Sequence, residues 1–283
     1  MHGCLPIPCL LLALTCATTL RTLAVVSLSA QQPPPSPAGA TSKPGTAASQ
    51  ELDVTPGTQR ARAGSGVYPP TQPDDDTGFA SIFDGKTLNG WDGDPRFWRV
   101  ENGEIVGETS PTNVVKLNNF LIWRGGTLKD FELKLDFRIT GTNSGIQYRS
   151  AELADVGKWI LKGYQADIDF EGNYVGNVHD ERGRGVLSRR GEVTRIVDGS
   201  LFKVVGTIAD SRLLRGAVNV NGWNRYHIIA RGVVLLQFIN GQLMAVAIDE
   251  DAKQSTAEGL LGFQMHVGPP FKIQFRNILY RKL

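Results

Sequence analysis

Three stretches of this 283-residue chain carry short hydrogen-bonding side chains at alternate positions, where an ordinary solvated surface would carry lysine and glutamate. They are Gln147 and Arg149; Gln165, Asp167 and Asp169; and Gln264 and His266. Amides, a guanidinium, carboxylates and an imidazole together supply the donors and acceptors that match sugar hydroxyls, and an arginine can hold a ketone or carboxylate oxygen. Two readings stand side by side: a polar groove for carbohydrate, or a surface ladder of cross-strand pairs such as Arg149 with Asp167. His266 has the opposite parity to Leu261, Phe263 and Met265, which directs it away from a core. Gly268, Pro269 and Pro270 beside it predict a rigid turn, which suits a positioned base. His227, between Tyr226 and Ile228 and close to Arg225 and Arg231, reads as a surface or pairing residue.

From Tyr174 to Arg190 the chain gathers His179, Asp180, Glu181 and several arginines among glycines, and reads as a long loop of the kind that carries function. Carboxylates in such a groove could hold a divalent cation such as calcium, although adjacent residues like His179, Asp180 and Glu181 seldom converge on one ion. Trp123, Trp159 and Tyr174 are candidate platforms for stacking a sugar ring, against the usual place of aromatics in the core. The arginine- and glycine-rich segment lacks the Gly-Lys-Ser/Thr ending of a phosphate-binding loop, which speaks against nucleotide. There is no Gly-x-Ser-x-Gly, no paired histidine on a helix and no cysteine nucleophile. Thirty basic against 28 acidic residues, a net charge of +2, give no whole-molecule field for nucleic acid or an anionic membrane.

The elements that must position these residues read as strands. In Phe131 to Ile139 every odd position is apolar and every even one, Glu132, Lys134, Asp136 and Arg138, is charged, the mark of a half-buried strand with an ordinary solvated face. Similar alternation runs through Ile146 to Ser150, Tyr164 to Phe170, Tyr226 to Arg231 and Phe271 to Phe275. Asn102-Gly103 and Asn240-Gly241 separate strand-like runs and tolerate the positive φ angles of two-residue hairpins. No apolar stripe of helical period follows Phe79, and parallel sheets need helical crossovers. The expected fold is therefore all-β, a two-sheet antiparallel jelly-roll sandwich.

Ahead of it, residues 1–30 carry two short apolar runs and small residues near Ala30, and read as a signal peptide; neither run approaches the ~20 residues of a membrane span. All three cysteines, Cys4, Cys9 and Cys16, fall inside it, so the processed protein holds no disulfide; a lipid-anchored Cys16 is the alternative. Residues 31–77, rich in Pro, Ser, Thr and Gly, are expected to be a disordered tether. The folded domain is placed at 78–283, in a protein that is secreted or periplasmic, or tethered to a membrane through its N-terminal segment.

The run from Phe83 to Trp91 (FDGKTLNGW), Asp130–Leu133, Asn143–Arg149 (NSGIQYR), Gly163–Ile168 (GYQADI), Trp223-Asn224 and His266–Pro270 (HVGPP), in this order, resembles the 3-keto-disaccharide hydrolase domain. The resemblance implies a concanavalin A-like sandwich and an exported enzyme that cleaves the glycosidic bond of sugars oxidised at C3. A ketone at C3 acidifies the C2 proton, so a base can remove it, the C1 substituent can leave, and water can add to the resulting enone. That route needs a base, an electrophile on the ketone oxygen and an acid, but no nucleophile and no required cofactor. The sequence offers His266 or Asp167 as the base, Arg149 with Gln147 for the ketone oxygen, and Asp180 or Glu181 as the acid, with Gln165, Asp169 and Gln264 completing the contacts to a carbohydrate substrate. A two-carboxylate glycosidase would want its acids in a Glu-x-Asp-x-x-Glu strand, and the nearest pattern is Asp167-x-Asp169-x-Glu171. A non-catalytic carbohydrate-binding module is the third reading.

Overall fold

The computed structural model describes residues 75–199 and 201–283; the expected signal peptide, its cysteines and nearly all of the tether lie outside the described residues. Strands form two sheets. The larger has the order Phe202–Thr207 (β12), Glu192–Ile196 (β11), Gln242–Asp249 (β15), Val234–Ile239 (β14), Asn224–Arg231 (β13), Phe131–Thr140 (β6), Lys272–Lys282 (β17), Glu104–Glu108 (β4) and Trp98–Glu101 (β3), with Ala80–Ser81 (β1) against β17. The smaller runs Gly185–Ser188 (β10), Val178–Glu181 (β9), Leu161–Asp169 (β8), Asn143–Glu152 (β7), Gly259–Met265 (β16), Asn119–Leu128 (β5) and Trp91–Asp92 (β2). The one helix among the described residues, Ser211–Arg215 (α1), is a single short turn capped by Asp210, and no described helix is long and apolar enough to cross a membrane.

The alternation of β6 does what its period requires. Phe131, Leu133, Leu135, Phe137 and Ile139 are all buried in the core that the two sheets share, each contributing about 1.5–3 kcal/mol of burial. From the smaller sheet Ile146, Tyr148, Tyr164, Ala166, Ile168, Leu261, Phe263 and Met265 meet them, and Phe263 stacks on Phe275 of the larger sheet with ring centroids 4.0 Å apart. The buried phenols find partners: Tyr226 donates to Gln237 Oε1 of the neighbouring strand at 2.8 Å, and Gln237 Nε2 donates across the gap to the Tyr148 hydroxyl at 3.2 Å. Both Asn-Gly turns are two-residue hairpins, with φ of 53° and 80° at Asn102 and Gly103 and of 51° and 76° at Asn240 and Gly241. The charged face of β6 is less solvated than its pattern suggests. Lys134 is buried against Asp76, and Glu132 takes His227 Nε2 at 3.0 Å, so His227 is a pairing residue.

One pair departs from the antiparallel expectation: β11 runs parallel to β15. The chain leaves the smaller sheet at β10 and enters the larger one through Arg189–Gly191, where Gly191 (φ 95°) donates its amide to the Met244 carbonyl at 2.7 Å. That direct crossing between layers fixes the direction of β11 without a helix. The expected loop from Tyr174 to Arg190 also changes, since most of it is the β9–β10 hairpin, turned at Arg182 (φ 57°). Its strands are too short and too charged to show alternation.

Arg149 is the main correction to the expected groove. Between Tyr148 and Ala151 the register of β7 against β8 shifts, so the strand carries a bulge. At its first residue φ is +47°, and the parity flips. Ser150 takes the outward place and Arg149 turns under the sheet, only 2 % exposed. Its guanidinium donates to the carbonyls of Lys129 (2.6 Å) and Gly232 (2.8 Å) and to Asp130 Oδ1 (3.0 Å), pinning the β5–β6 connection and the β13–β14 turn to the smaller sheet. It makes no pair with Asp167. Arg149→Met would leave those acceptors without their donor and is expected to cost about 3–5 kcal/mol of folding free energy; urea unfolding of the variant checks this, and an unchanged midpoint would remove the structural role.

Candidate active site

The outward face of the smaller sheet is polar at its centre. From β7 it presents Gln147, from β8 Gln165 and Asp167, from β16 Gln264, and from β9 His179 and Glu181, with His266 just beyond the end of β16. At one side Phe120, Ile122 and Leu161, with Trp159 and Leu260 packed on them, form a small apolar cluster of their own. The chain from Leu153 to Leu161 closes over that side, and the Phe120 amide donates to the Trp159 carbonyl at 2.9 Å. The polar residues beside it are nearly as buried as the core: Gln147 and Gln264 are 0 % exposed, and Gln165 and Asp167 are 3 % and 5 % exposed.

Four of these side chains form a directed chain. Ser150 Oγ donates to Gln147 Oε1 at 2.5 Å, Gln147 Nε2 to Gln165 Oε1 at 3.3 Å, and Gln165 Nε2 to Asp167 Oδ1 at 2.9 Å. Each amide is oriented by the one before it, and every donor points toward Asp167. The side chain of Gln165 can take this path because it lies over Gly145, the partner of Asp167 across β7 and β8; a Cβ on Gly145 would stand 2.4 Å from the Gln165 amide carbon. Burial raises the Asp167 carboxyl from 3.8 to about 8. The Gln165 hydrogen bond opposes that shift, and the charges of Glu181 and Asp169 add to it. At neutral pH Asp167 therefore carries a proton.

Around the chain stand groups with unspent hydrogen-bonding capacity. Both amide atoms of Gln264 and Nδ1 of His266 are buried without a partner. Leaving such groups unmade costs about 1–3 kcal/mol each, so a native fold tolerates them where a ligand completes them. Burial lowers the His266 imidazole below 6.5, with the Val267 backbone and Glu181 opposing, and it lowers His179 likewise, with Glu181 and Asp180 opposing. Both rings are neutral bases at pH 7. Glu181 sits between them electrostatically and is held by Asn118, whose Nδ2 donates to Glu181 Oε1 at 3.2 Å while its Oδ1 accepts the Val267 amide at 2.8 Å. No group of three or more His, Cys, Asp or Glu side chains among the described residues is set to hold a metal ion.

The fold thus brings together Gln147, Gln165, Asp167, Glu181, Gln264 and His266, and separates the other expected site residues. Asp180 lies on the opposite side of β9 from His179 and Glu181. There Arg184 donates to Asp180 Oδ2 at 2.8 Å and to Asp249 Oδ2 at 2.6 Å, and Asp249 also takes the Tyr164 hydroxyl, so Asp180 is a structural ion-pair partner and no acid for the groove. Asp169 accepts the amides of Asn173, Tyr174 and Val175 and caps the turn after β8. Trp123 has core parity and packs on Tyr280 at 5.8 Å. Tyr174 is 51 % exposed on the turn that Asp169 holds. His179 was readable as a site residue only once β9 was known as a strand, because period two then places it with Glu181. Asn118 lies in irregular chain and gave no signal, and Ser150 was hidden by the bulge.

Residues 78–281 match the model of the 3-keto-alpha-glucoside-1,2-lyase-like domain. The chain belongs to this family. A 3-keto-disaccharide hydrolase of Bacteroides thetaiotaomicron is 35 % identical over 98 residues, which is 30 % of this chain and 32 % of that relative, so the match spans about a third of each. Among solved structures, a Parabacteroides distasonis protein provisionally named a glycosyl hydrolase is 20 % identical with a TM-score of 0.49, covering 72 % of this chain and 99 % of that one. The carbohydrate-binding module CBM66 of Bacillus subtilis is 16 % identical with a TM-score of 0.44, covering 68 % and 96 %. Three of the six motifs that carried the resemblance to the 3-keto-disaccharide hydrolase domain (NSGIQYR, GYQADI and HVGPP) supply the polar face itself, from β7, from β8 and from the end of β16.

Two outcomes follow for this family member. Gly145→Ala displaces Gln165 and breaks the chain to Asp167, and is expected to lower catalytic or binding competence at least about tenfold while the circular dichroism spectrum is retained; full competence would show the chain to be ornamental. Because the folded carboxyl of Asp167 titrates near 8 and the unfolded one near 3.8, its contribution to stability is present below the unfolded value and lost as pH rises toward 8. Asp167→Asn should therefore unfold at higher urea than the wild type at pH 8 and show a smaller difference at pH 5.

Proposed function

We propose that the protein is an exported enzyme that cleaves the glycosidic bond of 3-keto glycosides by elimination at C2 and C1 followed by hydration. What carries the reading is the pairing of a protonated, buried Asp167 with a neutral, half-buried His266 on one polar face. Elimination calls for an acid and a base at the same pH, and two titratable groups whose environments push their affinities for protons apart supply both. Membership of the lyase-like family supports the elimination step, and the name of the Bacteroides relative supports a keto-disaccharide substrate.

In this scheme His266 removes the C2 proton, the electron pair moves toward the C3 ketone as an enolate, and the unpartnered Gln264 amide donates to the developing oxyanion. Collapse of the enolate expels the C1 oxygen, which takes its proton from Asp167. Water then adds at C1 of the enone. Gln147 and Gln165 orient Asp167, and His179 with Glu181 lines the opposite wall. Arg149 has no part in the chemistry, and the ketone role it was expected to play passes to Gln264. The two-carboxylate alternative loses ground, since Asp169 is spent on its turn and Glu171 is an exposed partner of Asn173. Export, to the periplasm or the medium, rests on the apolar leader and on the absence of cysteine after Cys16.

Purified protein incubated with a 3-keto-disaccharide and with its unoxidised parent should release monosaccharide only from the former. Equal cleavage of the parent would exclude the keto-directed route, and binding without turnover of either would make the domain a carbohydrate-binding module. His266→Ala is expected to lower kcat/KM by about 10²–10⁴. For the wild type, kcat/KM should rise as His266 loses its proton below pH 6.5 and fall as Asp167 ionises near 8; a profile flat from pH 5 to 9 would contradict both assignments.

A further inference from the structure

Beside the polar face lies a second concavity. A cavity of about 350 Å³ opens at the start of β5, and its wall includes Arg96, Lys116, Asn119, Lys158 and Trp159. It is not isolated from the groove. The segment 116–119 is a wall common to both, because Asn118 faces the groove through Glu181 and Val267 while Lys116, Leu117 and Asn119 line the cavity. The size is that of a small-ligand pocket.

Three features say what it would take. Trp159 holds a left-handed backbone, φ 58°, that bulky residues seldom adopt, and its indole is fixed by a 2.7 Å hydrogen bond from Nε1 to Asp92 Oδ1, itself gripped by Arg124. An aromatic ring held in place at such local cost is a stacking platform for a sugar face. Asn119 Oδ1 is buried without a donor, an acceptor that a hydroxyl would satisfy. The charge is one-sided: Arg96, Lys116 and Lys158 stand against the single carboxylate Asp94, which Arg96 already occupies through Nε at 3.0 Å. Lys158 Nζ lies over the Trp159 ring face, 4.8 Å from its centroid, and as an exposed side chain it can swing aside to meet an anion as a sugar ring takes its place.

The geometry points to a second subsite that binds a sugar unit carrying a carboxylate, a uronic acid, with its ring on Trp159, a hydroxyl on Asn119 and its carboxylate between Lys116 and Lys158. This rests on the proposed action on glycosides and narrows it: the unit next to the oxidised sugar is acidic. The test is a titration of the nitrogen-15-labelled full chain with glucuronate and with glucose at low salt, following the indole N–H of Trp159. Glucuronate is expected to bind about fivefold more tightly than glucose, as two exposed lysines allow. The preference should vanish in the double variant Lys116→Ala, Lys158→Ala and in about 0.5 M salt. Equal affinities, a preference that survives the double variant, or binding that leaves the Trp159 signal unmoved would each overturn the subsite. Loss of this preference in a protein that still turns over a neutral 3-keto-disaccharide refutes the subsite alone, whereas glucuronate bound at Trp159 by a protein that turns over no 3-keto-disaccharide refutes the catalytic reading alone.

Discussion

The site depends on a polar sheet face that is buried as a core would be. A carboxyl group in that setting keeps its proton, because ionising it would place an uncompensated charge among amides and apolar side chains. Asp167 is given one strong neutral donor, Gln165, and no cation, while Glu181 and Asp169 add negative potential. The only nearby guanidinium that the strand pattern offered, Arg149, is turned under the sheet by the bulge. Had β7 run on without the bulge, Arg149 would stand opposite Gly163, the neighbour of Glu181, and bring a cation onto the polar face. The bulge therefore does two jobs: it ties the layers together through Arg149, and it keeps a cation away from the acid.

The rest of the sandwich serves this arrangement. The core between the sheets is apolar and continuous, with Phe263 on Phe275 joining the layers directly below Gln264, so the strands that carry the site cannot shift against one another without opening it. The buried Arg184 cluster with Asp180, Asp249 and Asp251 anchors the β9–β10 hairpin from the core side, which holds His179 and Glu181 in place on the other side. The orientation of the amides runs one way, from Ser150 to Asp167, and a chain of this kind polarises in the same sense along its length. Function, on this account, comes from what the fold leaves unsatisfied: an amide at Gln264, a ring nitrogen at His266 and a carbonyl at Asn119.

Much of this was legible from alternation. Phe131 to Ile139, the two Asn-Gly hairpins and the parity of Gln147, Gln165, Asp167, Gln264 and His266 follow from period two, and the structure keeps them on the expected faces. Alternation fails where the backbone breaks it. At Arg149 a single extra residue reverses the face, and nothing in the local composition marks it. At Asp180 and Asp169 the side chains are spent on an ion pair and a turn, which only the register and the path of the following chain reveal. His179 and Glu181 are visible as residues, but a four-residue strand with Asp180 charged on its inward side shows no period and resembles a loop. Trp123 shares the parity of Leu121 and belongs to the core, and Trp159 is positioned by Asp92 some distance away in sequence.

The account stands on the protonation of Asp167. A carbon-13 titration of its side-chain carboxyl in the folded wild-type chain measures this directly. The proposed chemistry predicts a midpoint near 8, with the neutral form present at pH 7. A midpoint close to the ordinary carboxylate value of 3.8 would mean that water or a counter-charge reaches the group, and the polar face could not then supply the acid that the elimination needs.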